Sequence, residues 1–288
     1  MLFNKVLLAT DFSPQSSQLL YCLPELQKYG LREVVLLHVV NVQTSGGNAP
    51  EMQDYGAGRL QEDKAQLESY GLEVSVHCPI GFPSQEIERI AEDEQVTLIL
   101  IASHGQGFIK NIFLGSTAAV LLKTSAHSIL LEKYQEVKEG TCTKSYKKNF
   151  SNVLLPLDFS PVSQLLIQRL KTMGLSLEKL TLLHVVENAV TPDAYLERHA
   201  RAEEQLNLYV NELRMVYPEV AMAITKGDGA AKILDFAREE NCSLIILPKK
   251  SQPGLKEKLI GGTAQKIAQQ SLCTTLLLSE DSIGKGSM

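Results

Sequence analysis

The first half of this 288-residue chain recurs, segment by segment, in its second half. Three pairs carry the repeat: NKVLLATDFSP at 4–14 with SNVLLPLDFSP at 151–161, VVLLHVV at 34–40 with LTLLHVV at 180–186, and LGSTA at 114–118 with IGGTA at 260–264. The offset stays at 147 or 146 residues, which indicates a duplicated domain and not a solenoid. We therefore expect domains at 1–133 and 151–280. The polar segment 134–150 lacks a hydrophobic period and is predicted to be a linker.

Each half alternates short apolar runs with longer helical patterns, which favours an α/β fold. In the first half we predict strands at 6–9, 34–40, 73–78, 97–102 and 128–131, and helices at 13–28, 50–70, 84–94 and 116–124. Ser13, followed by Pro14, and Ser84 are the expected caps of two of these helices. Continuous apolar strands are typical of sheets that are covered on both faces. Right-handed crossovers then predict a doubly wound, five-stranded parallel sheet in each half.

Composition argues against several classes of protein. The net charge of −5 provides no broad attraction to nucleic acid or to an anionic membrane. No apolar run approaches the roughly 18 residues that a membrane span needs, and the N-terminus is too polar for a secretory signal. The five cysteines are scattered and form no CxxC pair, which is typical of thiols in a reducing compartment. We expect a cytoplasmic protein that binds neither nucleic acid nor membrane.

The stretch ASHGQGFIKNIFLGST at 102–117 follows a predicted strand at the edge where doubly wound sheets bind ligands. Gly105 can adopt positive φ and has no Cβ to block a ligand, and Gly115 opens a helix whose first amides are free. These amides, with the hydroxyls of Ser116 and Thr117, could hold a phosphate chain from two sides. The alternative is an ordinary turn and N-cap, since the stretch is neither a Walker A motif nor GxGxxG.

The order of VLLATDFS, then LLHV, then ASHG, nine intervening residues and GST, resembles the universal stress protein family. ATP-binding members of that family carry G-x-x-G, nine residues, and then G-(S/T). Gly105, residues 106–114, Gly115 and Ser116 match this motif, whereas Ala102 stands where the first glycine belongs. The resemblance covers both halves. It implies a tandem protein with Rossmann-like domains of the adenine nucleotide alpha hydrolase-like kind.

The resemblance also implies which residues contact a nucleotide. They are Ala9, Thr10 and Asp11 at the nucleoside, Val39 with its backbone at the adenine edge, and Gly105, Gly115, Ser116 and Thr117 at the ribose and phosphates, with Ala102 and His104 beside them. Asp11 should face the sugar or the base because its charge repels phosphate, and its alternative role is to cap the helix that begins at Ser13. His104 could reach a phosphate or be an ordinary loop histidine. His38 and His184 are interpreted as structural.

The second half departs from the phosphate motif. Pro248 stands at the position of Ala102, Ser251 at Gly105, Gly261 at Gly115 and Gly262 at Ser116. Proline removes an amide donor, serine is reluctant to take positive φ, and glycine has no hydroxyl. Asp158 and Val185 keep the nucleoside side, and Lys249 and Lys250 either compensate in part or are simply solvated. We expect the first half to be the better site.

Three functions remain open on these residues. The first is a stress-response or regulatory protein that binds ATP or AMP, with Mg²⁺ or Mn²⁺ as the cations that could accompany ATP, and with an unidentified regulatory protein as partner. Hydrolysis would be slow at most, because no catalytic residue is evident. The second is a nucleotide-free dimerisation module. The third is an adenylating enzyme of related fold, which would need an S-G-G-x-D-S loop that the chain lacks.

The final strand of each half is short and apolar, at 128–131 and 274–278, and such edges invite pairing. We predict that the two strands pair antiparallel within one chain, as an intrachain pseudo-dimer. The resemblance implies the same, because single-domain relatives dimerise through this strand. The alternative is that each edge pairs with a second chain in a swapped assembly. With either pairing, two chains could also form a homodimer through other surfaces.

Overall fold

The computed structural model describes residues 2–103, 114–138, 141–144, 148–188, 191–249 and 260–284. The chain divides into two compact units after residue 144. Both units have an α/β architecture with a parallel sheet, as the sequence predicts. No helix in the described ranges has the length and apolar character that crossing a membrane requires.

The first unit holds a five-stranded parallel sheet in the order β7-β6-β1-β2-β4. Its strands are β1 Lys5–Ala9, β2 Glu33–Leu37, β3 Val40–Asn41, β4 Glu73–His77, β5 Ile80–Gly81, β6 Leu98–Ala102 and β7 Ser128–Glu132. Its helices are α1 Pro14–Ser17, α2 Leu23–Gln27, α3 Val42–Ser45, α4 Ala49–Glu68, α5 Pro83–Asp93 and α6 Ser116–Thr124, with 3-10 turns at Gln18–Cys22 and Gly46–Asn48. The middle residues of the central strands β1, β2 and β6 are buried, which explains their unbroken apolar runs.

Two predicted elements of this unit differ in the structure. The helix predicted at 13–28 is split into α1, a 3-10 turn and α2. Pro24 has no backbone N–H, so it cannot donate the hydrogen bond that a continuous helix needs at this position. The strand predicted at 34–40 ends at Leu37, and Val40–Asn41 instead pairs with Ile80–Gly81 in a separate two-stranded ladder. The predicted start of α1 is confirmed, since the Ser13 side chain accepts the Ser16 amide.

The predicted cap of α5 at Ser84 is wrong. The helix begins at Pro83, so Ser84 lies inside its first turn, and Phe82 occupies the N-cap without a side-chain hydrogen bond. Proline favours the first helical position because its missing amide would be unpaired there in any case. Pro83 therefore marks the start of this helix one residue before the predicted position.

The second unit repeats the arrangement in the order β14-β13-β10-β11-β12, again parallel. Its elements are β10 Asn152–Pro156, α7 Pro161–Thr172, β11 Lys179–Val186, α8 Pro192–Leu213, β12 Val220–Lys226, α9 Gly229–Glu239, β13 Leu244–Lys249, α10 Gly262–Gln270, β14 Thr274–Ser279 and α11 Glu280–Gly284. Ser160 caps α7 as Ser13 caps α1, so the duplication extends to the local helix signal.

The segment at 134–150 is not structureless as predicted. It contains an antiparallel pair of strands, β8 Tyr134–Lys138 and β9 Thr141–Lys144. Each strand has only four or five residues, which is too short a run to establish a period-two pattern among polar side chains.

Candidate functional site

The carboxyl ends of β6, β1 and β2 lie side by side at one edge of the first unit's sheet. The chain leaves β1 toward β2 on one side, whereas β6 lies on the other side of β1, so the strand order reverses between β1 and β6. Ligands of open α/β sheets bind outside the strand ends at this kind of position. Ala9 and Ala102 are the last residues of β1 and β6, and the structure therefore brings them to the same edge.

Asp11 lies in the turn between β1 and α1. Its Oδ1 accepts hydrogen bonds from the Ser13 amide at 3.0 Å and from the Ser16 hydroxyl at 2.7 Å. The carboxylate therefore helps to start α1, which is the helix-capping role expected as the alternative for Asp11. Sequence reasoning missed Ser16, although the DFSP string that surrounds the turn occurs in both halves.

The backbone of Val39 faces the space beyond the end of β1. Thr10 N donates to Leu37 O at 2.9 Å on the β1 side, and Val40 N donates to Pro79 O at 2.9 Å on the opposite side. Because successive residues of an extended strand direct their backbone groups to alternate sides, Val39 faces the same side as Leu37. Within the described ranges neither the amide nor the carbonyl of Val39 has a hydrogen-bond partner.

His38 has structural partners. Its Nδ1 lies 2.9 Å from Thr10 O, and a carbonyl can only accept, so Nδ1 carries the proton. Its ring stacks on Phe12 with centroids 4.4 Å apart. Burial lowers the pKa of His38 and outweighs the opposing effect of the hydrogen bond to Thr10, which favours the neutral form of the ring. His184 makes the matching 2.8 Å contact with Leu157 O, which supports the structural interpretation of both histidines.

Helix α6 begins directly at the end of β6. Gly115 is its N-cap, with extended backbone at φ −67° and ψ 156°, and its amide donates to Ser103 O at 2.6 Å. Among the described residues no side chain caps this helix, so its first amides remain available to an anion. Ser116 is exposed and Thr117 is half-buried at this end. The predicted candidates His104 and Gly105 lie outside the described residues.

The corresponding turn of the second unit keeps the carboxylate arrangement. Asp158 Oδ1 accepts from the Ser160 amide at 3.1 Å and from the Ser160 and Ser163 hydroxyls at 2.6 Å each. Helix α10 begins after Gly261, as α6 begins after Gly115, so Gly262 stands where the first unit has the hydroxyl of Ser116.

Strand β13, which precedes α10, differs more from its counterpart β6 in the first unit. Pro248 lies within β13 opposite Leu278, and Lys249 is the last residue of that strand. Lys249 is buried, which corrects the alternative that it is a solvated loop lysine. Lys250 and Ser251 lie outside the described residues. In the described ranges, no three His, Cys, Asp or Glu side chains are grouped so that they could hold a metal ion.

Comparison with known proteins finds one family in both halves. A model described as the universal stress protein family matches residues 2–133 and 149–279. A universal stress protein of Methanocaldococcus jannaschii is 29% identical over 156 residues, which cover 46% of this chain and 96% of that protein. A universal stress protein of Bacillus subtilis is 25% identical over 146 residues, covering 45% of this chain and 99% of that protein.

Solved structures resemble the whole chain. A universal stress protein from Archaeoglobus fulgidus aligns with a TM-score of 0.71 at 22% identity, over 96% of this chain and 98% of that one. A protein described as functionally unknown from Pseudomonas aeruginosa aligns with a TM-score of 0.67 at 14% identity, over 98% of this chain and 95% of that one. At these identities the likeness concerns the fold.

Proposed function

This chain belongs to the universal stress protein family over both of its halves, and from that premise we propose that its first unit binds an adenine nucleotide, ATP or AMP. The binding site would be the crevice where β6, β1 and β2 end. The protein would act in a stress-response or regulatory role in the cytoplasm, through a protein partner that responds to the bound nucleotide.

The observation that carries the proposal is the start of α6, where no side chain in the described ranges caps the helix. The Gly115 amide fixes this helix start against Ser103 at the end of β6, so the free amides of the first turn lie at the ligand edge of the sheet. A helix N-terminus offers both amide donors and a partial positive charge, which together favour phosphate. The hydroxyls of Ser116 and Thr117 add two further donors at the same place.

The nucleoside end of the ligand would lie toward β1 and β2. The Val39 amide and carbonyl face that side and could pair with an adenine edge regardless of the side chain. The Asp11 carboxylate would accept from the sugar or the base, since its charge keeps it away from phosphate. Mg²⁺ or Mn²⁺ are the cations that we expect to accompany ATP. The sequence presents no evident catalytic residue, so we expect hydrolysis to be slow at most.

The test is calorimetric titration of the full chain with ATP and with AMP. Gly115→Val places a branched side chain where phosphate would approach and should lower affinity at least about 10-fold, or about 1.4 kcal/mol. Gly261→Val is the matched control, because it makes the same change at the N-cap of α10 in the second unit, where an added Cβ would meet nothing within 4 Å. Unchanged affinity in a folded Gly115→Val variant would contradict the proposal.

The second unit has a different candidate role. Pro248 has no amide to donate, and Gly262 replaces the hydroxyl residue at the first position of the helix. These two changes favour a structural and interaction role for this unit, with nucleotide binding weaker than in the first. The antiparallel pairing of the two terminal strands within one chain stays a prediction.

A further inference from the structure

Phe12 adopts a backbone conformation that phenylalanine rarely takes. Its φ is +60°, in the left-handed region that favours glycine. A bulky residue stays in this region only where its surroundings hold it there. The conformation recurs at Phe159 in the second unit, with φ +58°, so it belongs to the duplicated DFSP turn and not to one position alone.

The ring of Phe12 lies between groups from two other elements. On one side the imidazole of His38, just after β2, stacks at 4.4 Å with the planes 30° apart. The guanidinium carbon of Arg59, on α4, lies 4.8 Å from the ring centroid, which is a cation–π contact. Arg59 is itself held by Tyr55, whose hydroxyl lies 3.3 Å from its Nη1. The ring therefore ties the turn after β1 to the end of β2 and to α4.

The backbone of the same turn starts a chain of hydrogen bonds that ends on Asp11. Phe12 N donates to Thr10 Oγ1 at 3.0 Å, and Thr10 Oγ1 lies 3.0 Å from Ser16 Oγ. Ser16 donates its only hydroxyl proton to Asp11 Oδ1 at 2.7 Å, so the Thr10 hydroxyl is the donor to Ser16. The Phe12 conformation and the orientation of the Asp11 carboxylate are thus linked through three hydrogen bonds.

The second unit retains the turn but lacks part of this arrangement. Phe159 stacks on His184 at 4.4 Å, and its next aromatic neighbour is Tyr209 at 6.4 Å. In the described ranges no cation lies over Phe159. Leu157 stands where the first unit has Thr10, so the hydroxyl that links the phenylalanine amide to the serine is missing.

We propose that Phe12 is a positioning residue for the nucleotide. Its ring, held between His38 and Arg59, maintains the left-handed turn whose hydrogen bonds orient the Asp11 carboxylate toward the nucleoside. This inference rests on the proposed function of the first unit. It adds that α4, through Arg59, contributes to ligand affinity although it lies outside the family motif.

The main experiment compares two matched variants of the full chain by calorimetric titration with ATP and with AMP. Phe12→Ala should lower affinity at least about 10-fold, whereas Phe159→Ala should change it by less than about 2-fold. Both variants remove a stacked ring from a left-handed turn, so both should lose stability. A difference in affinity between them therefore reports on the nucleotide site and not on stability. Equal losses of affinity, or no loss with Phe12→Ala, would overturn the inference.

The role of Asp11 is tested by combining variants. If Phe12 acts through the carboxylate, Phe12→Ala should weaken binding by less than about 2-fold when Asp11→Ala is already present. An undiminished loss in that background would overturn the positioning role. Phe12→Tyr, which keeps the ring, should stay within about 3-fold of the unmodified chain, and should do so even where the alanine variant fails to fold. Loss of binding in a folded Phe12→Tyr variant would count against the inference.

A glycine substitution separates the backbone from the ring. Phe12→Gly permits positive φ but removes the stack between His38 and Arg59, so it should lose affinity as Phe12→Ala does. Wild-type affinity in Phe12→Gly would show that the turn orients Asp11 without the stacked ring, and would overturn the inference. Failure of the unmodified chain to bind ATP or AMP would refute the proposed function and this inference with it. Binding by the unmodified chain without the pattern above would refute only the inference.

Discussion

Replacing Glu88 by glutamine should destabilise the first unit at neutral pH and leave its stability nearly unchanged in acid. Glu88 lies on α5, and its Oε1 accepts the Ala126 amide at 2.8 Å and lies 3.2 Å from His127 Nδ1. These contacts tie α5 to the loop between α6 and β7. Burial acts to raise the pKa of Glu88, but hydrogen bonds from His127, Ser125 and Ala126 outweigh burial and lower the pKa to about 2.

The size of the effect follows from the difference in pKa between the folded and unfolded chains. A fall from 4.5 to about 2 corresponds to a ceiling of about 3 kcal/mol, at about 1.4 kcal/mol per pKa unit. The side chain is 28% exposed, so solvent screening reduces this to about 1–2 kcal/mol. Because the folded pKa is the lower one, the stabilisation is fully present above pH 4.5 and is lost as pH falls toward 2.

Urea unfolding of the full chain at pH 7 and at pH 2.5 measures this difference. At an m-value of about 2 kcal/mol/M, Glu88→Gln should lower the midpoint at pH 7 by about 0.5–1 M, and the difference should shrink in acid. Glu92→Gln is the control, since Glu92 is an exposed carboxylate on the same helix. Equal midpoints for Glu88→Gln and the unmodified chain at pH 7, or a difference that persists undiminished at low pH, would refute the reasoning.

Three further outcomes are expected. Titration with ATP or AMP should show one tight site per chain, with any second site at least about 10-fold weaker, and two equal sites would contradict this. Gly56→Ala should destabilise the chain by about 1–3 kcal/mol in urea unfolding, because its Cβ would lie 2.9 Å from His38 Cδ2 and 3.0 Å from Cys78 Sγ. On the same helix Gly58→Ala meets nothing within 4 Å and should stabilise it by up to about 1 kcal/mol, so similar effects of the two changes would count against the steric argument. Disulfide cross-linking between cysteines placed in β7 and β14 should join the two units within one chain, and cross-links found only between chains would exclude that pairing.

The local sequence was sufficient for the parts of the fold that depend on neighbouring residues. Buried parallel strands require unbroken apolar runs, and β1 and β6 appear within one residue of their predicted bounds. A serine followed by proline carries its own helix-start signal, so α1 begins where predicted. The start of α6 at Ser116 agrees with the predicted bounds of 116–124 on a different signal, since Gly115 separates the helix from the loop before it.

Tertiary structure decided what depends on residues far apart in the sequence. No local pattern predicts that Phe12 takes positive φ, because the groups that hold its ring, His38 and Arg59, lie 26 and 47 positions away. Strand β2 stops at Leu37, where its ladder with β4 ends at His77, although the predicted strand continues to Val40. Hydrophobic period and capping residues are properties of one segment, whereas strand ends and stacked rings are set by contacts between segments that only the folded chain brings together.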